Sequence, residues 1–193
     1  HIHLSFRGLK DEMVMADDKD KEHGLSDVGR SFIAGQIKHL RELSLLFAPN
    51  INSYKRYVPG SFAPTAIRWG RDNRTCALRL VGHGQSLRLE NRVPGGDVNP
   101  YLAVAGIIAA GLDGVKNNLK LEPAYTTNAY DSDSPRVPAT MLEAQTLWAG
   151  SAWVKEVFGS EVQAHYANMA QVELDAYGKA VTDWELFRNF ERF

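Results

Sequence analysis

Two alternating runs, Arg74 to Val81 and Ser86 to Val93, are parted only by Gly82-His83-Gly84-Gln85, and this arrangement restricts what the chain can become. Strand-length runs joined by a short glycine-bearing turn predict a β-hairpin. A period of two places Arg88, Glu90 and Arg92 on one face of the second strand, and the first run adds Arg74 and Arg79. One sheet surface is therefore expected to carry four arginines and a single carboxylate. The guanidinium fork suits carboxylate and phosphate, which makes the surface a candidate anion site. A solvated outer face or structural ion pairs is the competing reading, because exposed charge ladders are common and contribute little.

The rest of the chain can supply the core such a hairpin needs. Its 193 residues are 44% hydrophobic, enough for one domain or part of a larger one. A net charge of -1 gives no electrostatic reason to expect nucleic acid or an anionic membrane as partner, so a small-molecule partner is expected. No apolar run is long enough to span a bilayer or act as a secretory core, and the lone Cys76 has no internal disulfide partner. The cytoplasm is the default compartment. The chain opens on His1-Ile2-His3-Leu4-Ser5-Phe6, a half-buried strand pattern with no turn before it, so the sequence is expected to be incomplete at its N-terminus.

Further along, Arg7 to His23 is charged enough to read as an exposed loop. Ser26 reads as the N-cap of one helix burying Val28, Phe32, Leu40, Leu43 and Phe47 and ending before Pro49. Asn50 to Pro64 reads as a loop, and by composition its Tyr54, Lys55, Arg56, Tyr57 and Phe62 make an ordinary turn with surface basic residues. Asp97 or Asn99 caps an apolar helix that starts at Pro100 and runs to about Val115. A polar, proline-rich loop from Pro123 to Pro138 leads to two or three amphipathic helices between Ala139 and Phe193. His1 and His3 share a strand face, which with a carboxylate would suit Mn²⁺ or Mg²⁺, although a His-x-His is more often incidental. His23, His39, His83 and His165 read as surface or packing residues, Cys76 as a small buried one, and the four tryptophans need no cofactor.

Several segments then agree in order and spacing with one family. His1-Ile2-His3, Asn52 to Gly60 with Ala63-Pro64, Asp72-Asn73-Arg74, Arg88 to Arg92, Asn99-Pro100-Tyr101-Leu102, and Ala109 with Gly111-Leu112-Asp113-Gly114 resemble the catalytic domain of glutamine synthetases. The resemblance implies an α+β fold: a curved, mainly antiparallel sheet with helices packed behind it, residues 1–193 being the C-terminal part of the catalytic domain. It implies a two-step ligation in which ATP, as co-substrate, phosphorylates the side-chain carboxylate of glutamate and an amine displaces the phosphate. His1 and Glu90 then match ligands of the Mg²⁺ or Mn²⁺ that bridges ATP phosphates, and His3, Ser5, Arg79 and Arg88 match nucleotide contacts. Arg56, Arg74 and Arg92 match the arginines that hold glutamate and the transferring phosphoryl group, with Arg56 and Arg74 nearest the chemistry. The family also implies a ring-shaped homo-oligomer, a dodecamer in many members, with the remaining metal-binding glutamates encoded upstream and the isolated piece inactive.

One departure matters for function. Ammonia-using members carry a glutamate two residues after the Pro-Gly of the loop, where this chain has Phe62. Losing that charge and gaining an aromatic wall resembles the γ-glutamyl-amine ligases of the family. Trp69-Gly70 and Val181-Thr182-Asp183-Trp184-Glu185 resemble its polyamine-using members, which makes a polyamine the expected amine. An ammonia-using glutamine synthetase and a non-catalytic structural relative are the alternatives. Tyr130, within Asn128-Ala129-Tyr130-Asp131, matches a tyrosine that some members have adenylylated, but tyrosine before aspartate is also a common surface pair.

Overall fold

The computed structural model describes residues 1–190 and 192. Its sheet contains β1 (Ile2–Leu4), β2 (Ala66–Arg71), β3 (Cys76–Val81) and β4 (Arg88–Asn91) in the order β1-β4-β3-β2. The expected hairpin is present, β3 pairing antiparallel with β4, and β1 adds antiparallel to the other edge of β4. β2 was missing from the sequence reading; it lies parallel beside β3, with an irregularity between Ala66 and Trp69. The fold is α+β and most of its strand pairings are antiparallel, as expected.

The sheet has two different faces because side chains alternate along each strand. Leu78 and Leu80 on β3 and Leu89 on β4 are buried in the core with Phe32, Ile33, Leu40 and Ile107. Asn91 is buried on that side too, where its amide donates to Gln36 Oε1 at 3.4 Å and so ties the sheet to the first long helix. The opposite face carries a cross-strand row in which His3 lies opposite Glu90 and Glu90 opposite Arg79.

That helix, α1 (Asp27–His39), starts where Ser26 Oγ accepts from Gly29 N at 2.9 Å. The expected single helix to Phe47 is instead broken by a turn at 40–43, after which α2 spans Ser44–Phe47. Val28, expected to be buried, is 38% exposed. The Arg7–His23 segment also departs from a plain exposed loop. Met15 is buried, and Asp20 accepts from the backbone nitrogens of Glu22, His23 and Leu25, folding the charged run onto itself.

A third short helix, α3 (Ile51–Tyr54), leads into the Arg56 loop, and α4 (Pro100–Lys116) begins as expected with Asn99 as cap and Pro100 at its first position. α4 crosses α1 at backbone contact. A Cβ on Gly35 would lie 2.1 Å from Ala110 O, and one on Gly114 would lie 2.0 Å from Ser31 O. His39, buried at the end of α1, reaches Glu42 at 2.7 Å and Asp113 on α4 at 2.9 Å, and stacks on Trp153 at 3.7 Å, a packing role. The C-terminal part divides into more helices than expected: α5 (Met141–Gly150), α6 (Ala152–Phe158), α7 (Ser160–Lys179) and α8 (Asp183–Asn189). The split falls at Ser151, whose hydroxyl caps α6, and at Gly159, whose φ of 86° suits glycine. No helix among the described residues is long and apolar enough to cross a membrane.

Candidate active site

Glu90 is the centre of the charged face. It is 4% exposed, and Arg79 Nη1 donates to Oε2 at 3.0 Å while Arg92 Nη1 donates to both oxygens at 3.1 Å. His1 Nδ1 stands 2.9 Å from Oε1 and His3 Nε2 stands 3.6 Å from the same oxygen. Burial alone pushes the Glu90 carboxyl up, but the hydrogen bonds and charges of Arg79 and Arg92 outweigh it and hold it below the usual glutamate value.

The arginines differ in how far their charge is already used. Arg79 is shared between Glu90 and Asp72, with Nε donating to Asp72 Oδ1 at 2.8 Å. Asp72, expected only as part of a family segment, is a second carboxylate at this face, and it sits in the β2–β3 turn at φ 50°. Arg92 is 4% exposed, its Nη2 donates to Phe62 O at 2.8 Å, and its buried Nε has no hydrogen-bond partner among the described residues. Arg56 donates to the carbonyls of Arg92 and Val93 and lies 5.0 Å over the Tyr57 ring, so no carboxylate bonds to it.

Other candidates fall around this cluster or away from it. Alternation keeps Arg88 on the same face as Glu90, and Arg88 Nη1 donates to Ser86 O at 3.2 Å, not to the cluster, while Ser5 lies just past the end of β1. Arg74, expected on the strand face, lies instead in the exposed turn before β3, because β3 begins only at Cys76. Phe62 is 66% exposed and has a φ of 60°, an uncommon backbone state for a residue other than glycine. Tyr130 is half-buried, not a free surface tyrosine, and its hydroxyl donates to Ala63 O at 2.9 Å. Asp97 fastens the base of the loop by accepting from Ser53 Oγ at 2.5 Å and Asn50 Nδ2 at 3.0 Å. Asp72, Asp97 and Tyr130 went unassigned as site residues because each acts across a turn or from a distant loop. Cys76 is fully buried, and desolvation pushes its thiol up to about 12, which leaves it chemically quiet.

The fit of a divalent cation can be tested on these donors. Cis ligands about 2.1 Å from an octahedral ion stand about 3.0 Å apart, close to the His1–Glu90 separation of 2.9 Å. The pair therefore fits as part of a coordination sphere. Among the described residues no group of three or more His, Cys, Asp or Glu side chains is placed to hold a metal.

The α+β domain thus gathers Arg79, Arg92, one shared carboxylate and two histidines on one face of its sheet. The model of the glutamine synthetase catalytic domain matches residues 1–189, and the chain belongs to that family. It is 61% identical over 192 residues to a γ-glutamylethanolamide synthetase of Streptomyces coelicolor, with 100% of the chain and 41% of that protein covered. It is 38% identical over 193 residues to a glutamate–isopropylamine ligase of a Pseudomonas species, covering 97% of the chain and 42% of the relative. Among solved structures, GmaS in complex with ADP superposes with a TM-score of 0.87 at 30% identity, covering 98% of the chain and 45% of GmaS. The chain thus spans about two-fifths of the length of these proteins.

Proposed function

We propose that this chain is the C-terminal part of the catalytic domain of an ATP-dependent ligase that joins the γ-carboxylate of glutamate to a primary organic amine. The observation that carries the reading is Phe62, whose ring is 66% exposed while its carbonyl is held by Arg92. An aromatic ring gives an ammonium ion no counter-charge but offers an alkyl chain an apolar wall.

In the proposed reaction a γ-carboxylate oxygen attacks the γ-phosphorus of ATP and ADP leaves. The amine nitrogen then attacks the acyl carbon, the bond from carbon to the phosphate oxygen breaks, and the nitrogen gives up one proton. Arg56, which bonds only to carbonyls, is assigned to the anionic reactants, with Arg92 beside it. Arg74 joins them only if its exposed side chain turns toward the sheet. His3, Ser5, Arg79 and Arg88 form the nucleotide side of the proposal. His1 and Glu90 would hold Mg²⁺ or Mn²⁺ together with donors from outside this chain. When bound, the cation offsets the charge of the ATP phosphates.

An ethanolamine-sized monoamine is favoured over a polyamine. The 61% identical relative is named for ethanolamide synthesis, and Trp69, Thr182 and Glu185, among the residues that suggested a polyamine, have structural roles here. Trp69 is 1% exposed with its Nε1 donating to Glu122 O at 2.8 Å, and Thr182 and Glu185 form the capping box of α8. A ring-shaped homo-oligomer belongs to the same proposal, and gel filtration of the full-length protein checks it.

The reaction is tested by phosphate release from the full-length protein with ATP, Mg²⁺ or Mn²⁺ and glutamate, comparing ammonium with ethanolamine, isopropylamine, putrescine and spermidine. Turnover with ethanolamine and little with ammonium is expected. Turnover with ammonium alone would make the protein a glutamine synthetase and remove the case for Phe62.

A further inference from the structure

The loop that carries Phe62 is pinned by donors from two separate parts of the chain. Phe62 has a φ of 60°, a state that is strained for a non-glycine residue and persists only where its surroundings impose it. The carbonyl of Phe62 accepts from Arg92 Nη2 at 2.8 Å, and the next carbonyl, that of Ala63, accepts from the Tyr130 hydroxyl at 2.9 Å. On the N-terminal side Ser61 Oγ donates to Val58 O at 2.6 Å and accepts from Ala63 N at 3.3 Å, closing the turn.

Tyr130 is itself well fixed. Its backbone nitrogen donates to Asn128 Oδ1 at 3.2 Å, and its carbonyl accepts from Arg136 Nη2 at 3.1 Å. Arg136 also reaches Thr65 Oγ1 at 3.2 Å, so it fastens the 129–136 segment to the residues just after the loop. Burial pushes the Tyr130 hydroxyl up from its usual value, with Arg92 opposing, so it remains a proton donor at neutral pH.

We propose that Tyr130 is a positioning residue for amine selection: by holding the Ala63 carbonyl it keeps Phe62 in its left-handed conformation and its ring where the alkyl part of a primary amine would lie. The inference rests on the amine-ligase reading. Without the hydroxyl, Ala63 O loses its side-chain donor and Phe62 can relax toward commoner backbone angles, which swings its Cβ and ring away. Tyr130 need not touch the amine to have this effect.

The test uses the full-length protein in four forms: unaltered, Tyr130→Phe, Phe62→Ala and the double variant. KM for amine, glutamate and ATP and kcat are measured for each. Removing one neutral hydrogen bond is expected to raise the amine KM about fivefold in Tyr130→Phe, with the ATP KM changed by less than about twofold. In the Phe62→Ala background the Tyr130 change should add nothing further, because the two residues act as one unit. An unchanged amine KM would overturn the proposal. So would the same rise in the Phe62→Ala background, or an equal loss for all three substrates, which would mark Tyr130 as a general structural brace. If the unaltered protein turns over only with ammonium, the amine-ligase reading itself fails, and that control separates the two failures.

Discussion

Arg92→Ala is the perturbation whose effect the structure specifies most closely. Arg92 commits Nη1 to Glu90 and Nη2 to Phe62 O, and keeps a buried Nε with no partner among the described residues. Glu90 keeps Arg79 as a partner in the variant, so the carboxylate is not left unpaired. Besides its bonds to Glu90 and Phe62 O, the variant loses, on the proposed role, one charge-assisted bond to a carboxylate ligand, worth about 1.5–3 kcal/mol, which converts to a rise in glutamate KM of about 10- to 150-fold. The amine KM should rise as well, because Phe62 O loses its donor, while the ATP KM should move by less than about threefold. Arg92→Lys keeps a charge beside Glu90 but lacks the fork, so it should fall between the two. Initial rates of phosphate release, with each substrate varied against saturating partners, give the three constants. Near-ultraviolet circular dichroism from the buried Trp69 and Trp148 shows whether the variants keep native packing. A raised ATP KM with an unchanged glutamate KM would refute the assignment of Arg92 to glutamate.

Three further outcomes follow from the same geometry. Phe62→Glu should weaken turnover with organic amines and restore some with ammonium, and unchanged selectivity in competition assays would count against the loop's role. Gly35→Ala should destabilise the protein by about 1–3 kcal/mol or more, because its Cβ would stand 2.1 Å from Ala110 O and force α1 off α4; a lower urea midpoint reads this. The folded-state value of Glu90 is held below its usual one, so its ionised form adds stability that is present above the unfolded value of about 4.3 and lost as pH falls through the folded value. The stability gap between the unaltered protein and Glu90→Gln should therefore be wide near neutral pH and narrow below about pH 4, as read by urea midpoints from tryptophan fluorescence.

The parts of the fold that were legible are those set by neighbours in the chain. The Ser26 and Asn99 caps and the β3–β4 hairpin each depend on a few adjacent residues, and each is found where the sequence puts it. β2 was not legible because Ala66 to Arg71 does not alternate: its burial runs two buried, one half-buried, twice over. The break after α1 was equally hidden, since Arg41 and Glu42 are ordinary helix formers and what they answer to is distant: Arg41 reaches Glu143, and Glu42 reaches His39, which is bound to Asp113. Period-two reasoning brought Glu90, Arg88 and Arg79 onto one face, but Arg74 stands an odd five residues from Arg79 and so does not share its face, and the strand itself starts only at Cys76.

Four arginines facing a single carboxylate would leave the sheet face short of negative charge, and the geometry refines that count. Arg79 is offset by both Asp72 and Glu90, so its charge is largely spent inside the protein. Arg92 shares Glu90 with it, and Arg56 bonds only to carbonyls, which satisfy its donors without cancelling its charge. Arg88 likewise donates only to a carbonyl, that of Ser86, so the uncancelled charge lies at Arg56, beside the loop that carries Phe62, and at Arg88 on β4. On the amine-ligase proposal, Phe62, whose carbonyl is held by Arg92, stands at the Arg56 end of the face, and glutamate and an alkylamine would meet at neighbouring places before any bond between them forms.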